Sequence, residues 1–258
     1  MKPTRQHRWF AGIVLLTMVG TGIGFVLAQT ETPLEGTTTR MGFVEVVNGR
    51  EICMTEDELR YLVDPALLMA GGPPKDGIPS IDHPVFVSSH EADAWIADDE
   101  LVLALIYEGV KRVYPLRILA WHEVVNDVVA GDPLLITYCP LCVSAAAYAR
   151  QLDGEPVEFG TSGMLYNSNL VMYDRQTQTY WSQIDGLAIV GELSGQALAS
   201  IAVETVRWSE WRTAHPDSEV LSQETGFDRD YGRDPYITYY ANNSICFPVQ
   251  GRDDRIPP

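Results

Sequence analysis

Asp153-Gly154 stands between "SAAAYARQL" and "EPVEFG" and limits what the chain around it can become. An Asp-Gly pair supplies the two positive-φ positions of a tight hairpin turn. Beyond it Val157 and Phe159 alternate with Glu158. Before it Ala145, Ala147 and Ala149 alternate with Ala146, Tyr148 and Arg150. This segment is expected to pair as a strand, although its alanines weakly favour helix. Asn48-Gly49, within residues 43–54, and Glu108-Gly109, within "LVLALIYEGVKRVYPL", divide two more apolar runs in the same way.

Further strands are expected at "DPLLITYC", "LVMYD", "TYWSQ" and "YITYY". Helices are fewer and shorter. "TEDELRYLV" opens as a capping box, with Thr55 as cap and Glu58 three residues on. "ADAWIADDE" suggests a helical turn, and "VRWSEWRTAHP" a short helix stopped by Pro216. "RILAWHEVVNDVV" is read as a helix with Ile118, Trp121, His122, Val125 and Val129 on one face. Asn126 then lies at the rim of that face, and Glu123 and Asp127 point away. "AGGPPKDGIPSIDHP" is too rich in Gly and Pro for regular structure. The sum is an α+β fold, β-rich, of mostly antiparallel sheets of short hairpins with a few short helices.

The N-terminus is of another kind. Lys2, Arg5 and Arg8 precede the uncharged "WFAGIVLLTMVGTGIGFVLA". Residues 1–28 read as a signal peptide or an N-terminal membrane anchor, cleavage being favoured over retention. Either way the rest is expected to be exported, periplasmic or otherwise extracytoplasmic. It would be soluble after cleavage or tethered by that segment. Residues 29–39 read as a flexible tether, and 40–258 as a single globular domain. Removing the first segment leaves 15 basic against 35 acidic side chains, a formal −20. Such a surface repels nucleic acid and anionic lipid, so no nucleic-acid partner is expected. Contact with a membrane is expected only through an uncleaved N-terminus.

"TYCPLC" carries the chemistry. Cys139 and Cys142 have the C-x-x-C spacing of a redox dithiol, a soft-metal site or a structural disulfide. A thioredoxin-type centre needs a helix after the first cysteine, and the expected strand at 144–149 removes it. A soft metal, copper or zinc, needs more than two ligands in most sites. His122 is the nearest candidate third ligand, and Met164 and Met172 offer thioether sulfur for Cu(I). Asn126 and Tyr138 are expected to support the ligands, and Tyr166, Asn167 and Ser168, with Asn169, to line a pocket. The same residues admit plainer roles: His122 as a core histidine, the 166–169 run as a turn. Cys53 and Cys246 either pair or sit as small apolar residues. "GTSGM" at Ser162 is not a serine-hydrolase elbow, and no glycine-rich phosphate loop occurs outside the N-terminal segment.

Four strings taken together resemble the domain of unknown function 3179 family: "DGIPSID", "YPLRILAWHEVVNDVVAGDPLLITYCPLCVSA", "GTSGMLYNSNLVMYDRQTQTYWSQ" and "WSEWRTAHPDSEVL". The likeness covers roughly residues 76–240. It implies export, often with a membrane tether, in bacteria and archaea. It also marks the His122 to Asn126 stretch and the cysteine pair as the family's signature, and it implies no activity. Val143 departs from the pattern, since a small Gly often follows the second cysteine. Many relatives also run on into a second similar unit, so this chain is expected to be a short or truncated form. The leading expectation is an exported soft-metal binding or redox accessory protein using Cys139, Cys142 and His122. The alternatives are a thiol–disulfide redox protein and a non-catalytic binding module with a structural C-x-x-C disulfide.

Overall fold

The computed structural model describes residues 42–241 and Phe247. The expected signal segment, the tether and Cys246 lie outside the described residues. An eight-stranded sheet runs in the spatial order Gly42–Val47, Arg50–Met54, Arg60–Tyr61, Leu187–Val190, Tyr180–Ser182, Asn169–Asp174, Phe159–Tyr166 and Met69–Ala70. A four-stranded sheet runs Ala199–Ile201, Ser144–Ala149, Asp132–Cys139 and Val124–Val129. A five-stranded sheet runs Glu204–Arg207, Leu101–Tyr107, Val110–Pro115, Glu219–Leu221 and Phe86–Ser88. Among these named strands only Val110–Pro115 and Glu219–Leu221 pair in parallel. The fold is α+β and β-rich, with mostly antiparallel sheets.

The four-stranded sheet is the middle layer. One of its faces sends Val125, Val129, Leu134, Ile136 and Ala147 into a core shared with Leu103, Leu105 and Tyr114 of the five-stranded sheet. The other sends Val124, Leu135 and Tyr148 against Phe159, Met172 and Trp181 of the eight-stranded sheet. Alternate side chains of one strand point to opposite faces. A strand buried on both therefore reads as an unbroken apolar run, as "PLLI" does. The outer face of the five-stranded sheet is covered by the helix Trp208–Ala214, through Trp208 and Trp211.

The Asn48-Gly49, Glu108-Gly109 and Asp153-Gly154 turns all form, each with positive φ at both residues. Ser144–Ala149 is a strand, but its partners are Asp132–Cys139 and Ala199–Ile201. The Asp153-Gly154 turn closes only the short ladder Gln151–Leu152 with Glu155–Pro156.

Three expected elements are corrected. The helix over "RILAWHEVVNDVV" spans only Leu116–His122; Glu123 ends it at φ 60°, and Val124–Val129 is a strand. An Ala130-Gly131 turn, also at positive φ, folds that strand onto Asp132–Cys139. Val125 and Val129, four residues apart on one face of the strand, had imitated a helical stripe. No helix forms at "TEDELRYLV", because Glu58 takes φ 63° and the Thr55 hydroxyl accepts from the Leu59 N–H, closing a turn. "YITYY" is not a strand but includes the short helix Ile237–Tyr240. The α-helical turn there, Ser89–Ala92, overlaps the expected "ADAWIADDE" segment only at Ala92 and carries a capping box of Ser88 and Glu91.

The "DGIPSID" loop is fastened across the sheets at residue after residue. The Asp76 N–H donates to Thr161 O, and the Thr161 hydroxyl donates to Ile78 O at 2.7 Å. Pro79 O accepts from His122 Nδ1 at 2.7 Å. Ile81 makes a parallel bridge to Val125. Asp82 accepts from Asn126 Nδ2 and Arg175 Nη1, each at 2.7 Å. Burial pushes the Asp82 carboxyl up, but the bonds from Arg175, Asn126 and Ser80 outweigh it and hold the group below the usual range.

Candidate functional site

Cys139 and Cys142 occupy the apex of a hairpin. Cys139 is the last residue of its strand and pairs with Ser144, the first of the next. Pro140–Cys142 makes one 3₁₀ turn, and Val143 reverses the chain at φ 49°, ψ 39°. The turn folds Cys142 back over Cys139. Cys139 is buried and Cys142 exposed, both as free thiols.

Cys142 Sγ sits in a polar cradle. Asn169 Nδ2 donates to it at 3.1 Å, and Ser144 Oγ lies 3.0 Å away. The Asn169 amide is oriented unambiguously: its Oδ1 accepts from the Ile184 N–H, so its NH₂ faces the sulfur and Gln183 Oε1. Gln183 is fully buried and in turn donates to Thr137 Oγ1 at 2.9 Å. A hydrogen bond from the Cys139 thiol is the largest influence on Cys142. With help from Ser144 and Asn169, and against burial, it draws the thiol down to about 6. Giving that bond, together with burial, pushes Cys139 up.

Glu123 is the group that sequence reasoning misplaced. The helical reading turned it away; the break at residue 123 turns it inward, only 5% exposed. Tyr236 Oη donates to its Oε1 at 2.7 Å, and its backbone carbonyl accepts from Tyr138 N, next to Cys139. Burial raises its carboxyl to about 7, the Tyr236 bond opposes that, and the Cys142 charge adds to it. The carboxyl opens on a narrow cleft of about 60 Å³ lined by Ile78, Leu141, Leu170 and Tyr236. Asp127, also read as outward, is buried and bound by Arg112 and Tyr114.

His122 is not brought to the cysteines. It is fully buried beside Phe227 and Tyr231. The Pro79 carbonyl can only accept, so Nδ1 carries the proton and Nε2 accepts from Tyr231 Oη at 2.7 Å. Both ring nitrogens are then engaged, and burial lowers the pKa of the ring. Among the described residues no three His, Cys, Asp or Glu side chains gather as a metal-ligand set. The expected triad of Cys139, Cys142 and His122 is therefore not assembled. Met172 is a core residue in the cluster that holds Cys139, and Met164 packs on the cluster of Tyr61 and Val171.

Of the expected supporting residues, Asn126 braces Phe159 and Asp82 instead of a ligand. Tyr138 is buried near the pair, and Tyr240 Oη donates to Pro140 O at 3.1 Å. Tyr166 packs outside the site. Asn167 and Ser168 form the positive-φ turn between two strands, and Ser168 O faces Cys139 Sγ at 4.0 Å. Ser144 and Gln183 were not anticipated. Ser144 was discoverable, since it lies two residues past Cys142; Gln183 carried no local signal.

Val143 is strained. A β-branched residue in the left-handed region costs roughly 1–2 kcal/mol, and its side chain, 63% exposed, gains little packing in return. Val143→Gly should stabilise the protein by about 1 kcal/mol, read as a higher urea midpoint with an unchanged slope. A lower midpoint would show that the left-handed turn is not what limits this position.

No curated protein and no solved structure matches the chain. A protein family does match, over residues 75–258, which takes in the fastened loop, the cysteine hairpin and the Asn169 strand. The chain belongs to that family, described as "Protein of unknown function (DUF3179)".

Proposed function

We propose that the chain is a thiol–disulfide redox protein in which Cys142 is the nucleophile and Cys139 the resolving thiol. The supporting observation is the setting of Cys142: an exposed sulfur takes a hydrogen bond from Asn169 Nδ2 and lies 3.0 Å from Ser144 Oγ, and the buried thiol of Cys139 stands beside it. Thiolate is the reactive form, and a lowered thiol pKa keeps it populated at neutral pH. Cys142 attacks one sulfur of a partner's disulfide. The partner's other sulfur leaves as a thiolate and takes up a proton. Cys139 then loses its proton and attacks the Cys142 sulfur, expelling the partner's second thiolate. The partner gains two electrons, and the pair ends as a disulfide. The reverse sequence oxidises a partner dithiol. With the N-terminal segment read as an export signal or anchor, the proposed partners are exported proteins carrying cysteines.

The cradle makes its own choice of electrophile site. The order of roles is opposite to that of a helix-based C-x-x-C, because here the exposed sulfur is the second. Reduced protein alkylated across pH 4–10 should label Cys142 alone, with half-maximal rate near pH 6. Cys139→Ser should accumulate a mixed disulfide with glutathione disulfide that wild type resolves. A midpoint at or above about 8.5, the unperturbed thiol value, or a mixed disulfide that wild type retains equally, overturns the reading. The soft-metal reading survives only with the two sulfurs alone. Cu(I) that fails to protect Cys142 from alkylation removes it.

A further inference from the structure

A second feature lies at the far end of the strand that carries Cys139. Asp132–Cys139 extends from the cysteine apex to a cleft of about 590 Å³ where several hairpin ends converge. Pro133, Arg150, Gln151, Glu158, Arg175 and Gln176 line it. Pro133 and Cys139 are six residues apart in sequence, roughly 20 Å along an extended strand. The cleft is thus separate from the thiol site.

Arg150 is the unusual residue there. It is only 8% exposed, yet among the described residues no carboxylate lies within ion-pairing distance of it. The other arginines of comparable setting are neutralised: Arg112 by Asp127 and Glu219, Arg117 by Glu100, Arg175 by Asp82. Arg150 instead directs Nε and Nη2 to Asp127 O and Nη1 to Val157 O, at 3.2–3.4 Å. A guanidinium has five N–H bonds. Three are spent on these carbonyls and two remain. Carbonyl oxygens orient the group without cancelling its charge, and a buried charge left unpaired is costly. Burial draws the Arg150 pKa down, against the charges of Glu158, Asp127 and Asp82, which act from beyond ion-pairing distance.

We propose that this cleft binds a small oxyanion, a carboxylate or phosphate group, on the two unused N–H bonds of Arg150. A planar guanidinium suits two oxygens of one oxyanion. Arg175 stands across the same cleft, held by Asp82 at 2.7 Å and more loosely by Glu158 at 3.4 Å. Glu158 is half exposed and is the native competitor for the incoming anion. Gln151 and Gln176 on the rim supply neutral donors and acceptors to the remainder of the ligand.

The test is thermal unfolding of the full chain, titrated with inorganic phosphate or with succinate, against sodium chloride at matched ionic strength. A ligand that binds only the folded state raises the melting temperature with a saturating dose dependence. Saturation is expected with one of the two anions, and the one that saturates at lower concentration identifies the headgroup. Arg150→Gln should abolish the response. Glu158→Gln should lower the half-saturating concentration several-fold by removing the competitor. Alkylation of Cys142 should be unchanged throughout, which separates this site from the thiol proposal. A response no greater than with chloride overturns the inference, as does one that persists in Arg150→Gln. Should Arg150→Gln fail to fold, an unaltered half-saturation in Glu158→Gln for both anions overturns it instead.

Discussion

Asn126→Ala should destabilise the protein by roughly 3–5 kcal/mol, measured by urea unfolding. The side chain is 2% exposed and behaves as an extra peptide group set between strands. Its Oδ1 accepts from Phe159 N at 2.9 Å, and its Nδ2 donates to Phe159 O at 2.8 Å and to Asp82 Oδ1 at 2.7 Å. Alanine leaves a buried N–H and a buried carbonyl without partners and takes a donor from a carboxylate. Each loss costs about 1–3 kcal/mol. The effect should also shrink in acid. Asp82 has a folded pKa below its unfolded one, so its stabilisation is present above the unfolded value and lost as pH falls through the folded value. Removing Asn126 shortens that range. A loss below about 1 kcal/mol would show that the 76–82 loop is held by its other bonds alone.

Glu123→Gln should act in the opposite direction, and only above about pH 4.5. The folded carboxyl titrates near 7 against 4.5 for the ordinary group. The folded state therefore holds this proton more tightly than the unfolded chain does. The resulting stabilisation is complete below about pH 4.5 and is lost as pH rises through about 7. Glutamine stays neutral throughout and still accepts from Tyr236. Near pH 4 the variant should match wild type; at pH 8–9 it should be more stable by on the order of 2–3 kcal/mol. Because Glu123 is largely neutral where Cys142 titrates, the same variant should leave the alkylation midpoint of Cys142 near 6. Stability curves that stay parallel across pH 4–9 would mean Glu123 is not buried as an acid.

Both residues lie in "WHEVVND", where sequence and structure disagree most. The hairpins were legible because Asn-Gly, Glu-Gly and Asp-Gly pairs announce positive φ directly. The break at Glu123 was not, since a glutamate at φ 60° carries no such mark. Val125 and Val129 share one face of the strand, and their spacing of four also fits one face of a helix. That coincidence misdirected Glu123 and Asp127 and made His122 look available to the cysteines. The cysteine pair and the 166–169 turn were legible from local composition. The Asn169–Gln183–Thr137 chain was not, because it joins three strands brought together only by sheet order.

The single left-handed residue at 123 also imposes a length. His122, at the end of a helix, and Asn126, within a strand, reach the same short loop at Pro79 and Asp82. Between them the chain changes from a rise of about 1.5 Å per residue to one of about 3.3 Å, with one residue in which to do so. The segment works as a ruler whose two marks are side chains. A one-residue insertion after Glu123 would slip one mark against the other and turn every later side chain of the strand to the opposite face.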